Sequence, residues 1–225
     1  QNRSNQTGGH GIRGGGGNKL HLNDIQILNS FSYGIGIQSG TNKNMSFNNL
    51  RIDNAGLDGI DIKDFNLDNE TAMITNLVIS NYGFDSTNNT AVALDVRGPI
   101  NASNIEISTI AQSRGIRTRQ ATSQGRAASG VISSVTINGV TATDSIGVEH
   151  ASDSGNMIIS GVTIKDLSLC MLISDTAVGG QLNSITATGI FGSDCMSVSG
   201  KDVIINNLSI TNTSASSRIM DVEPL

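Results

Sequence analysis

Between Ala55 and Asp64 the chain reads AGLDGIDIKD, three aspartates set among aliphatic residues and two glycines. Asp58 and Asp61 in this stretch, with Asp95 and Glu149 further along, are the candidate acid/base groups. Lys63, Arg97, Arg117 and Arg119 are the cations that would accompany them and position an anionic or hydroxyl-rich chain. Paired carboxyl groups cleave glycosidic bonds when they stand about 5–5.5 Å apart (retention) or about 6.5–9.5 Å apart (inversion). Two carboxylates held close together also push one pKa upward, which a general acid requires. Whether these residues meet depends on the elements that carry them.

Those elements repeat. A pattern of two alternating apolar pairs around a polar doublet recurs as LHLNDIQI, MSFNNLRI, MITNLVI, INASNIEI, VISSVTI, MIISGVTI, QLNSITA and VIINNLSI. A shorter alternating segment follows each, beginning with GIGIQ, GIDIK, ALDVR and GIRTR. The middle residues of the short segments are Gly36, Asp61, Asp95, Arg117, Glu149, Leu172, Ser197 and Asp221. Most steps between them are 22–25 residues; two are wider, at 34 and 32, and fit insertions around DFNLDNE and DSTNNT and at QATSQGRAAS. A period of this length with two or more strands describes an all-β parallel solenoid, each turn stacked on the last. About eight turns are expected over residues 17–225. Residues 1–16, rich in glycine, form a separate N-terminal segment or an incomplete first turn.

Two polar columns support the same reading. One runs Asp24, Asn49, Asn76, Asn104, Ser134, Gly161, Ser184, Asn207; the other runs Asn29, Asn54, Asn81, Thr109, Gly139, Asp166, Gly189, Asn212. Asn tolerates left-handed backbone angles, and stacked amides can hydrogen-bond from turn to turn. With parallel strands roughly 4.8 Å apart, Asp61 and Asp95 would lie about 5 Å apart and Asp95 and Glu149 about 9.6 Å. Side-chain alternation turns Ile60 and Ile62 inward and Asp61 and Lys63 outward. Two readings of this outer face stay open. It is a charged groove between the insertions, or a solvated ladder of opposite charges: Asp61 with Lys63 or Arg97, and Arg117 with Asp95 or Glu149. Aromatic platforms for sugar rings are few, with two Tyr, five Phe and no Trp in the chain. Tyr82, Phe84 and Phe65 lie near the insertions and could line a rim.

The repeat, the Asn columns and the DGID element resemble the right-handed parallel β-helix of the pectin-lyase-like superfamily. Within it the chain is most similar to phage tailspikes that attack bacterial surface polysaccharides. Polygalacturonase-like enzymes carry an Asn-Thr-Asp-Gly-x-Asp element, which AGLDGID matches at Asp58, Gly59 and Asp61. Leu57 stands in place of the Thr, and no His-Gly follows in order. Some tailspike endoglycosidases use an Asp-x-x-Asp pair with a third carboxylate on an adjacent turn, places that Asp58, Asp61 and Asp95 would fill. The resemblance implies binding and glycosidic cleavage of a bacterial surface polysaccharide, a homotrimer, and a virion or extracellular location. It implies no cofactor or metal, except calcium if the reaction were a lyase elimination. A secreted pectinase-like enzyme and a non-catalytic stalk or adhesin are the alternatives.

The remaining features exclude more than they suggest. A net charge of −5 argues against a nucleic-acid partner. No apolar run is long enough for membrane insertion, and no signal peptide is seen. The chain opens at Gln1 and is read as a processed product or part of something longer. Cys170 and Cys195 fall in one column, where a free buried pair is expected. His10, His21 and His150 lack zinc-ligand spacing, and His150 is expected to be a satisfied core residue.

Overall fold

The computed structural model describes residues 9–14, 19–37, 44–62, 71–84, 91–108, 113–119, 128–151 (backbone alone for 140–143), 156–174, 177–211, 213–214 and 218–222. All regular structure among them is β, with every ladder parallel. The chain is a parallel β-solenoid. Strands Leu20–Leu28, Met45–Ala55, Ala72–Tyr82 and Pro99–Ser108 stack in register on one side. The first parts of Ser129–His150 and Met157–Ile173 continue that stack, followed by Val178–Thr188 and Lys201–Thr211.

A second wall is built from the short segments: Ile12–Gly14, Ile35–Ile37, Ile60–Ile62, Ala91–Val96 and Ser113–Thr118. It continues through the ends of the two long strands to Met196–Val198 and Asp221–Val222. Because Ile12–Gly14 already pairs with Ile35–Ile37, the coil includes part of the Gly-rich opening.

The polar columns make the corners. All eight residues of the first column, from Asp24 to Asn207, have φ between 54° and 61°. Each sits inside a long strand and bends it, so one strand serves two faces. In the second column Asn29, Asn54, Asn81, Asp166 and Gly189 are left-handed, while Gly139 is not among the positive-φ residues. Thr109 and Asn212 lie outside the described residues. Amides link neighbouring turns: Asn49 donates to Asp24 Oδ1 at 2.6 Å, Asn104 to Asn76 Oδ1 at 3.2 Å, and Asn54 to Asn29.

Between the walls lie stacked aliphatic columns. One reads Ile25, Leu50, Leu77, Ile105, Val135, Val162, Ile185, Leu208, and another Ile27, Ile52, Ile79, Ile107, Ile137, Ile164, Ala187, Ile210. Their inner members are almost fully buried, while Ile25, Leu208 and Ile210 at the ends are only partly covered. Small, uniform side chains suit a core whose cross-section barely changes from turn to turn, so large aromatics are not needed to fill it.

Candidate functional site

The short wall carries the site. Its register aligns Gly36, Asp61, Asp95 and Arg117, then Glu149, Leu172, Ser197 and Asp221. Ile60 and Ile62 face the core, and Asp61 lies opposite, as alternation requires. The outer face there is nevertheless not solvated: Asp58, Asp61 and Asp95 are only 8 %, 1 % and 0 % exposed. Of the expected ladder of opposite charges, the pairs Asp61 with Arg97 and Arg117 with Asp95 are formed, but the acids are buried and not solvated. Long arginine side chains from this and neighbouring turns fold over the acids and take the place of water.

Asp95 is the hub. Arg117 Nη2 donates to its Oδ2 at 2.8 Å, Arg119 Nε to its Oδ1 at 3.0 Å, and Arg97 Nη2 to its Oδ2 at 3.3 Å. Burial alone would raise its pKa, but the hydrogen bonds and charges of Arg117 and Arg119 outweigh burial and hold the carboxyl below its ordinary value. Arg97 also reaches Asp61 Oδ1 at 3.8 Å. Asp58 has the opposite character. Burial first, and then the charge of Asp95, push it up to about 7, although the Val92 amide donates to its Oδ1 at 2.8 Å. Two aspartates side by side are thus driven apart, one held as an anion and one kept as an acid near neutrality.

Asp58, Asp61 and the three arginines open onto a cavity of about 280 Å³, completed by Leu57, Ala91 and Tyr33. Asp95 lies behind this lining. Oxygens of the three aspartates fall within 4.8 Å of one another, close enough to meet on one cation. Calcium fits this donor set poorly, because guanidinium groups already occupy the inner carboxylate and Arg97 stands beside Asp61.

The other expected residues fall elsewhere. Glu149 pairs in register with Arg117, but its carboxylate is salt-bridged to Arg114 and does not line the cavity. Tyr82 is fully buried rather than on a rim. Its hydroxyl donates to the Arg114 carbonyl at 2.8 Å and accepts from Ser113 Oγ at 3.3 Å. The reason lies in the register, which aligns Tyr82 with the inward Ala55. Phe84 is 38 % exposed but outside the lining, and Lys63 and Phe65 lie outside the described residues.

The aromatic that does line the cavity is Tyr33, and its signal was present in the sequence. It precedes Asp58 by 25 residues, the same step that separates Gly36 from Asp61. Amide hydrogen bonds from Gly11 to the Tyr33 carbonyl and from Gly34 to the Asp58 carbonyl carry the ladder through this corner. His10, Tyr33 and Asp58 therefore occupy successive turns of one column.

A larger hollow of about 450 Å³ lies further along the same wall, over Leu172 and Ser197. It has an apolar floor with Leu169 and a rim of hydroxyls with Asp144 and Asp194, but Asp194 is tied to Arg218 at 2.6 Å. It lacks the packed ionisable groups that the smaller cavity holds. The packed carboxyl and guanidinium groups belong to the smaller one.

Compared with known proteins, the chain matches no family model, no curated sequence and no solved structure. The class that fold and site define is a parallel β-solenoid with a buried aspartate–arginine cavity on one wall.

Proposed function

We propose that the cavity binds and cleaves a bacterial surface polysaccharide, in the manner of the tailspikes of the pectin-lyase-like superfamily. The observation that carries this reading is the pairing of Asp58, protonated up to about pH 7, with Asp61 in one cavity. Asp58 would give its proton to the glycosidic oxygen as the bond breaks. Asp61 would meet the anomeric carbon, and Asp58, now a carboxylate, would activate the water that completes hydrolysis. The close grouping of the oxygens favours the retaining geometry over one with room for an intervening water. Arg97, Arg117 and Arg119 would hold the chain, and Asp95 would position the arginines. Glu149 has no part in this scheme.

The second hollow supports a ligand extended along the wall, since Glu149 is the only marker residue between the two openings. The same resemblance brings with it a homotrimer on a virion or outside the cell, which sedimentation velocity would test.

The test is incubation with a panel of capsular, O-antigen and pectic polysaccharides. New reducing ends and the absorbance of unsaturated sugars are followed together for wild type, Asp58→Asn and Asp61→Asn. Reducing ends without absorbance, lost in both variants, are expected. Cleavage should persist in EDTA and decline as the pH rises through about 7, where Asp58 loses its proton. Unsaturated products that require added calcium would replace this reading with a lyase.

One observation favours a second reading, a non-catalytic stalk or adhesin. The near-complete burial of Asp61 and Asp95 is also what a purely structural ion cluster would show. Under that reading Asp61→Asn lowers the melting temperature and alters neither binding nor turnover of any glycan.

A further inference from the structure

We infer that Tyr33, backed by His10, is the platform on which a sugar ring sits beside Asp58 and Asp61. This rests on the glycan reading of the cavity and names the residue that would set affinity within it. Tyr33 lines the cavity together with both acids. Its ring stacks on that of His10, with centroids 5.0 Å apart and planes 13° from parallel. The contact follows from the coil, because His10 and Tyr33 are equivalent positions on adjacent turns, two turns and one turn before Asp58. A ring braced on one side by a second ring loses little freedom when a ligand arrives, which makes it a better surface than a mobile aromatic side chain.

A pyranose presents an apolar face of C–H groups and a polar edge of hydroxyls. An aromatic ring next to carboxylates and guanidinium groups meets both requirements within one sugar unit. Tyr33 touches ligand but carries no proton in the reaction, so it is a positioning residue. The glycine-rich opening of the chain enters the site through His10.

The chain lends itself to a direct test, since it has no Trp and two Tyr, of which Tyr82 is buried in the core. In a Tyr82→Phe background, tyrosine emission reports Tyr33 alone. The probe is the purified oligosaccharide product of whichever panel polysaccharide the wild type cleaves. Its addition is expected to change Tyr33 emission. Tyr33→Leu is expected to raise KM and the product Kd about tenfold with kcat nearly unchanged, and Tyr33→Phe to restore both. His10→Ala should shift KM in the same direction by less. Asp61→Asn should do the reverse, abolishing kcat while the product still changes Tyr33 emission. Unchanged emission, or a Tyr33→Leu variant with wild-type KM, overturns the inference and leaves the cleavage reading standing. A folded wild type that neither cleaves nor binds any polysaccharide overturns both.

Discussion

At the scale of single residues, the aspartates on one wall differ in what surrounds them and should differ in what their loss does. Asp95 holds three arginines, and its removal takes from Arg117 and Arg119 the carboxylate they share and leaves Arg97 with Asp61 alone, at 3.8 Å. Asp95→Ala is expected to cost about 3–5 kcal/mol, read by chemical denaturation. Asp58→Asn removes a group that the fold holds protonated against its ordinary tendency. Its folded pKa, near 7, lies above the unfolded value near 3.8, so the native state binds the extra proton. The stabilisation from that proton is complete below about pH 4 and lost as the pH rises to about 7. At pH 8 the Asn variant should therefore be the more stable protein, read by chemical denaturation. The acids and arginines were legible as a column in the sequence, because spacing along a coil fixes height on the stack. Depth was not legible. It depends on how far Arg97, Arg117 and Arg119 reach across neighbouring turns, and the repeat says nothing of that.

Among the elements, the corners show how local chemistry sets the coil. At Asn104, held at φ 56°, glycine should be tolerated within a few tenths of a kcal/mol, whereas valine should cost about 1–2 kcal/mol, measurable by melting. A tighter constraint acts at the glycines of one column on the short wall. Gly11, Gly34, Gly59, Ala93, Gly115, Gly147, Cys170 and Cys195 align one residue before the inward aliphatic of each turn. A Cβ on Gly115 would lie 2.5 Å from the Gly147 carbonyl oxygen and 2.8 Å from an Ile137 methyl. Gly115→Ala should therefore destabilise strongly, since backbone is in the way. This column also accounts for the cysteines. Both are free and buried, and Cys170 Sγ donates to the Cys195 carbonyl at 2.6 Å. Burial pushes the Cys170 thiol up to about 12, which makes it a packing residue rather than a reactive one. Their shared column was visible from a spacing of 25. The tight corner behind it was not, because glycine is common throughout the chain and only contacts distinguish these from the rest.

Across the whole molecule, two buried groups oppose one another as pH changes. His150 was expected to be a satisfied core residue, and half of it is. Nδ1 meets Thr118 Oγ1 at 2.8 Å, while Nε2 has no hydrogen-bond partner among the described residues. Burial lowers its pKa to about 4, so between pH 4 and 6.5 the unfolded chain binds the extra proton and stability rises with pH. Asp58 contributes the opposite slope over nearly the same window. Each is worth about 3 kcal/mol across it, and the two nearly cancel. Compared with wild type, the melting temperature should thus rise more steeply with pH between 4 and 6.5 in Asp58→Asn and less steeply in His150→Leu. The fold itself was the most legible level, because a parallel coil writes the same instruction on every turn. The aspartate–arginine cavity occurs only once among the described residues, so it had no repetition to reveal it.

The constant register of the wall has one more consequence. Positions on it can move relative to one another only by whole turns, in steps of about 4.8 Å. The wall is a ruler with fixed graduations. A turn inserted between Glu149 and Leu172, or removal of the turn that carries Glu149, would shift the two hollows by one division while leaving every inward column continuous. The spacing of the two hollows can be re-gauged in this way without redesigning the core.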